Sequence, residues 1–239
     1  MLIFDEDRAS DSPLVERVWR SHTERAGEFV SIAESRAEIV VSSYQGQVLV
    51  TVRGPETRAA RVPYPPDGEW LGIRLKPGAR VVPQPASRLV NGKVTLPPAT
   101  RGAFWLNGSV WPVPDFDNAD TFVDWLVRDD LLVIDPVVPA ALHGDPPGSS
   151  PRTLQRRFLS ATGVTQTMAR QIERARYATL LLRGGLPIAV AAQEAGYFDQ
   201  PHLTRSLRRF IGQTPAQLLK RDRPDQLSFL YKTRPFAGS

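Results

Sequence analysis

Arginine, glutamine and histidine stand in this chain at spacings that a helix turns to its exposed side. Arg152, Gln155 and Arg156 fall at i, i+3 and i+4, and Gln200, His202 and Arg205 lie on a later stretch. Such side chains donate hydrogen bonds and neutralise charge; they do not make or break covalent bonds. Bond-making alternatives are thin. Cysteine is absent, which excludes disulfides, thiolate catalysis and cysteine-ligated zinc. Of the three histidines (His22, His143, His202), only His22 falls in the N-terminal half, too few for a histidine-rich metal centre there. No serine, histidine and acid set stands out for nucleophilic catalysis.

The elements that carry these residues are duplicated. Leu154-Gln-Arg156-Arg-Phe158, then Gly163-Val-Thr165, returns 49 residues later as Leu203-Thr-Arg205-Ser-Leu207, then Gly212-Gln-Thr214. In each copy the leucine and the second apolar residue share a helix face, while the arginine points elsewhere. The glycine closes one helix and the threonine caps the next. Repeated basic helices suggest two contacts with one long polyanion. A duplicated helical hairpin with solvated arginines is the plainer alternative.

Charge divides the chain in the same way. The whole carries 30 Lys+Arg against 25 Asp+Glu, with a sequence pI near 9.9. From Ser150 onward, 15 basic residues face five acids (Glu173, Glu194, Asp199, Asp222, Asp225), a net +10, whereas the preceding part is −5. A basic domain of this kind meets nucleic acid or an anionic membrane. No apolar run of about 18 residues is present to span a bilayer. The start of the chain lacks the pattern of a signal peptide, so a cytoplasmic protein is expected.

The N-terminal half reads as β-rich. Residues 37–44 and 47–53 are β-branched runs around Gly46, and residues 70–75 form a third. Asn91-Gly92 and Asn107-Gly108 are both hairpin signals. Short strands, close turns and frequent prolines predict a small β-barrel or sandwich over 1–114. A connecting helix is expected over 115–134, with Phe122, Trp125 and Leu126 on one side. From 135 the pattern is helical: Asp135-Pro136 and Ser150-Pro151 are helix starts, separated by the breaker Gly144-Asp-Pro-Pro-Gly148. A helix from about Thr165 to Leu182 links the two copies. The whole is α+β, with an all-α domain over 135–224 and a flexible tail over 225–239.

The stretches Ser150–Thr165 and Ala195–Pro215 resemble the DNA-binding domain of AraC/XylS-type transcription regulators, a similarity that spans about Asp135 to Arg221. The resemblance implies two helix-turn-helix units joined by a linker helix, and a β-rich domain that binds a small effector or dimerises. It implies double-stranded DNA and RNA polymerase as partners, with an effector and a homodimer as further ones, and neither a membrane nor a cofactor. By position, Arg152, Gln155, Arg156, Gln200, His202 and Arg205 become base-contacting candidates. Their types suit this, since arginine pairs with guanine and glutamine with adenine. Arg208 and Arg209 are better placed for phosphates. Arg170, Arg174 and Arg176 on the linker helix contact DNA or pair with Glu173. The chain departs from the family pattern at His143-Gly144-Asp-Pro-Pro-Gly148, which cannot continue the helix that should support the first reader, and this predicts a less rigid first unit.

Architectural or unspecific DNA binding is an alternative reading. An enzyme with a DNA-binding module, like the alkyl-transfer repair proteins that share this domain, is another, but its reactive cysteine is missing. In the β-rich half, Tyr44, Tyr64, Trp70, Phe104, Trp105 and Trp111 are either core or the lining of a pocket. Glu38, Trp70, Arg74 and Trp105 are the ligand candidates, with Glu38 for a cation and Arg74 for an anion. The scarcity of metal-ligand residues predicts that elemental analysis of the purified protein will find no stoichiometric transition metal; one metal per chain would overturn this.

Overall fold

Alternation of apolar residues lays down the main sheet. In the computed structural model, which describes residues 2–144 and 150–219, six antiparallel strands lie in the order β1 (Leu2–Ala9), β2 (Val15–Thr23), β7 (Gly68–Leu75), β4 (Glu38–Tyr44), β5 (Gln47–Arg53) and β9 (Lys93–Thr95). Ile39, Val41, Val50, Val52, Leu71, Ile73 and Leu75 turn to one face and are buried. They pack against Phe104 and Trp111 of a three-stranded sheet, β10 (Pro98–Thr100), β11 (Ala103–Leu106) and β12 (Ser109–Pro112), and against Phe122 and Leu126 of α2 (Ala119–Arg128). Each such side chain contributes about 1.5–3 kcal/mol of burial.

No closed barrel forms among the described residues, which corrects the barrel expectation. β1 pairs only with β2, and β9 only with β5. β1 ends the sheet because Asp5, Glu6 and Asp7 are met by His22, Arg20 and Arg17 of β2, and a charged edge resists further pairing. β9 has only three residues. The Asn107-Gly108 hairpin is present, with Leu106 opposite Ser109 and positive φ at both turn residues. Asn91-Gly92 makes no hairpin. The chain before it closes into the short helix α1 (Ala86–Leu89), and Asn91 Oδ1 accepts instead from Thr57 N at 2.8 Å. The helix expected over 115–134 is shorter than that, and residues 132–134 form β13 (Leu132–Ile134), paired with β8 (Ala79–Val81). The N-terminal core therefore extends past Pro114 to Leu132.

The helical half comprises α3 (Val137–His143), α4 (Pro151–Thr162), α5 (Gln166–Arg183), α6 (Ile188–Glu194), α7 (Gln200–Phe210) and α8 (Pro215–Leu219). Among the described residues no helix is long and apolar enough to cross a membrane. The expected tail over 225–239 lies outside the described residues.

The two halves share an apolar junction. β3 (Gly27–Ser31) and β6 (Ala60–Tyr64) form a ribbon; its Val30, with Ile32 and Ala33 just after β3, enters one core with Ile172 and Ala175 of α5 and with Phe210. Ala33 N donates to Phe210 O at 2.7 Å and Ala59 N to Arg209 O at 2.9 Å. The contact recurs at equivalent turns of the repeat. Gly163 and Gly212 both have φ +78, and a Cβ would meet Ala86 O at 2.6 Å in the first case and Val30 Cγ1 at 3.1 Å in the second. Each glycine thus answers a left-handed turn and a close neighbour from the β-rich half.

Buried charges complete the junction. Arg36 reaches Glu34 at 2.8 Å, Glu16 at 2.9 Å and Glu173 of α5 at 2.7 Å. Arg176 of α5 lies 3.3 Å from Glu34 and donates to Ala33 O at 3.1 Å. Ser35 donates to Glu173 at 3.0 Å. Burial alone would raise the Glu34 carboxyl, but Arg176, Arg36 and Arg74 together hold it well below the usual range. Burial pushes Glu16 up, against the pull of Arg36. Arg176→Met removes one of the three arginines around Glu34 and leaves Arg36 and Arg74 beside it, so in urea unfolding it should destabilise by less than the roughly 3–5 kcal/mol of stranding a buried charge outright. Because the folded Glu34 is depressed, its contribution is present above the ordinary value of 4.5 and is lost as pH falls below it. The acid-side slope of stability should therefore be shallower in Glu34→Gln than in the wild type; an equal slope would remove Glu34 from the account.

Candidate nucleic-acid interface

Each reader candidate is a capped helix with one buried seam. Ser150 caps α4 by accepting from Thr153 N at 3.3 Å, with Pro151 in its first turn. Phe158 and Ala161 pack on Val138, Ala141 and Leu142 of α3, and Leu154 is half-buried beside them. The support for α4 is thus in place: α3 stops at His143 on the left-handed Gly144, and residues 145–149 of the breaker lie outside the described residues. In α7, Asp199 accepts from His202 N at 2.6 Å, while Leu203, Leu207 and Phe210 form the seam. Gly163 and Gly212 follow the two helices, as the repeat predicts, and each starts a capped successor. Thr165 accepts from Met168 N at 3.1 Å. Thr214 and Gln217 exchange side-chain bonds with each other's backbone N–H at 3.2 and 2.8 Å, a capping box.

These seams leave Arg152, Gln155, Arg156, Gln200, Arg205, Arg208 and Arg209 exposed and His202 half-buried. Among the described residues, Arg152, Arg156, Arg205 and Arg208 have no ion pair or hydrogen-bond partner. In the β-rich half Arg8, Arg17, Arg20, Arg53 and Arg61 each pair with a carboxylate, whereas Arg58, Arg88 and Arg101 have no ion pair among the described residues. Arg157 of α4 belongs to the paired class, bound to Asp135 at 2.8 Å. Arg209 lies at the last turn of α7, with its guanidinium 4.9 Å from the Phe210 ring centre and 4.0 Å from the Met168 sulfur. His202 sets its ring edge-on to Tyr197 at 5.1 Å.

Arg170, Arg174 and Arg176 of the linker helix have structural partners. Arg170 donates to Ala141 O at 3.2 Å, and Arg174 donates to Gly196 O at 3.3 Å while stacking 4.6 Å from the Tyr197 ring centre. Arg176 is buried in the junction. Glu173 pairs with Arg36 across the junction, outside its own helix.

The ligand candidates separate. Glu38 and Arg74 sit opposite each other on β4 and β7, and Trp70 shares the face of Arg74. Arg74 is buried, facing Glu34 and Glu38 at 3.6 Å, and Glu38 accepts from Trp19 Nε1 at 2.6 Å. Trp105 stands exposed on the three-stranded sheet. A cavity of about 20 Å³ opens between Arg36, Gln84, Leu89 and Thr162 at the junction with α4. That is space for one water, against the roughly 300–1,000 Å³ of ligand pockets. Residues that sequence reasoning missed are Asp199, Phe198 and the Glu34–Arg36 pair. Asp before Gln200-Pro201 is a helix-start signal, and adjacent aromatics at a turn signal that one faces outward. The Glu34–Arg36 pair has no such local sign.

Residues 148–221 match the model of a helix-turn-helix domain. The chain is 33% identical over 132 residues to the HTH-type transcriptional regulator RipA of Corynebacterium glutamicum, a match that covers 54% of this chain and 38% of that protein. No solved structure matches the chain. The C-terminal segment is a helix-turn-helix domain of the AraC type.

The unpaired arginines can be told apart by role. Arg205→Ala should weaken binding to a specific duplex by about 1–3 kcal/mol and relax preference at one or two base pairs. Arg208→Ala should weaken specific and scrambled duplex alike, and lower the salt slope by about one unit. Neither should unfold the domain, since the seam is made by Leu203, Leu207 and Phe210. Binding across a salt series checks both; a reversal of the two behaviours would mean that the faces of α7 are wrongly phased.

Proposed function

We propose that this protein is a sequence-specific transcription regulator that reads two successive major grooves of double-stranded DNA. The observation that carries the reading is the set of exposed arginines on α4 and α7 (Arg152, Arg156, Arg205 and Arg208) that have no partner among the described residues, in a segment that matches a helix-turn-helix domain. The relative that the chain resembles is a transcriptional regulator by its printed description. In this reading α3 with α4, and α6 with α7, are two helix-turn-helix units. Arg152, Gln155 and Arg156 read one groove and Gln200, His202 and Arg205 the other, while Arg208 and Arg209 meet phosphates.

The separation fits. α5 has 18 residues, which at 1.5 Å each span roughly 27 Å. With the widths of the flanking helices, two readers reach about one turn of B-DNA apart, roughly 34 Å. The docked β-rich half leaves the base-contact candidates uncovered, apart from the half-buried His202, so this arrangement is open to DNA. It acts as a brace, touching both units at Gly163 and Gly212. RNA polymerase is the further partner that a regulator requires, and a second copy of the chain would double the site. The junction cavity has room for about one water, so an organic effector bound there would need space that opens on binding.

Selection of bound duplexes from a random pool tests this reading. The expected result is a non-palindromic site with two short blocks centred about one helical turn apart. A single compact block would remove the bipartite model, and flat recovery of all sequences would leave only unspecific binding.

A further inference from the structure

Phe198 is left almost wholly in water. It is 94% exposed, whereas the next most exposed large apolar residue among those described, Val110, is 50% exposed. A phenylalanine that could be buried forgoes roughly 1.5–3 kcal/mol by staying in solvent. Its backbone is pinned on both sides. Tyr197 before it is buried, bonded to Ser206 Oγ at 2.8 Å and stacked by Arg174. Asp199 after it caps α7. The fold therefore holds this ring at the leading end of the second reader.

That end is the one at which a reading helix approaches base edges. Arg205 and Arg208 on the same helix, without a partner among the described residues, draw a polyanion towards it, which favours DNA over an apolar protein surface. A phenyl ring offers no hydrogen bond to the polar edges of guanine, adenine or cytosine and would only desolvate them. The apolar group that the major groove displays is the 5-methyl of thymine. We propose that Phe198 is a base-reading residue that packs against the methyl group of one thymine in the block read by α7. This rests on the reading of α7 as a DNA reader.

The test uses the full chain and a duplex recovered by the selection described above. Each thymine is replaced in turn by uracil, which lacks only the methyl, and binding is measured for the wild type, Phe198→Ala and Phe198→Leu. One substitution should weaken the wild type about fourfold, the worth of one buried methyl group. Phe198→Ala should bind the thymine and uracil duplexes equally, and Phe198→Leu should keep part of the preference. Unchanged melting temperatures show that the variants are folded. The proposal fails if Phe198→Ala binds the thymine duplex as tightly as the wild type, including the case in which it loses only a response to a protein partner. It also fails if the variant is weaker but no uracil position distinguishes it from the wild type. If the wild type enriches no duplex at all, the DNA reading itself has failed, and that is visible before any variant is made.

Discussion

The linker helix α5 is bolted to the β-rich half by largely buried opposite charges. Glu173 meets Arg36 and Arg176 meets Glu34, so each side contributes one cation and one anion. Pairs of this kind add little net stability, because desolvation offsets most of their attraction, but pulling one apart leaves a bare charge in a dry place. The penalty falls on movement. α5 cannot slide or turn against the sheet without breaking the set, and α5 shares the core of α7 through Ile172, Ala175, Leu203 and Phe210. The position of the second reader is thereby referred to the N-terminal half as well as to its own partner helix.

The duplicated glycines extend this constraint to both readers. At Gly163 and Gly212 the chain leaves a helix through the left-handed region, and the β-rich half fills the space where a side chain would stand. A domain that touches both repeats at the same point acts as a ruler between them. Charge is apportioned to match. Several arginines of the β-rich half are neutralised by carboxylates, Arg170, Arg174 and Arg176 of α5 hold elements together, and Arg152, Arg156, Arg205 and Arg208 on α4 and α7 have no partner among the described residues. A positive side chain without a carboxylate nearby is ready to replace the counterions of a phosphate backbone.

Much of this was legible in the amino-acid order. The strands over 38–44, 47–53 and 103–106, the Asn107-Gly108 turn, the length of α5 and the seam Leu203, Leu207 and Phe210 all follow from local periodicity and turn chemistry. Other parts were not. β1 and β2 carry Asp, Glu and Arg in a ladder across an edge, so they lack the apolar alternation that marks a strand. Asn91-Gly92 has the composition of a hairpin, yet its neighbours close a helical turn and its side chain is spent on Thr57. The open sheet in place of a barrel is decided by which strands find a second partner, and no single strand encodes that.

The sequence by itself determined the repeat, the two capped helices with their exposed arginines, and the class of partner that such charge selects. These are properties of neighbours three or four residues apart, where helix geometry is enough. Only the tertiary structure decided which arginines are free. Arg156 and Arg176 are indistinguishable as letters on amphipathic helices, but one faces solvent and the other is closed in by residues 33 and 34, more than a hundred positions away. The same holds for Phe198 and Tyr197, adjacent aromatics of which one is buried and the other exposed. A long-range contact consumes a side chain's chemistry, and local pattern carries no record of it.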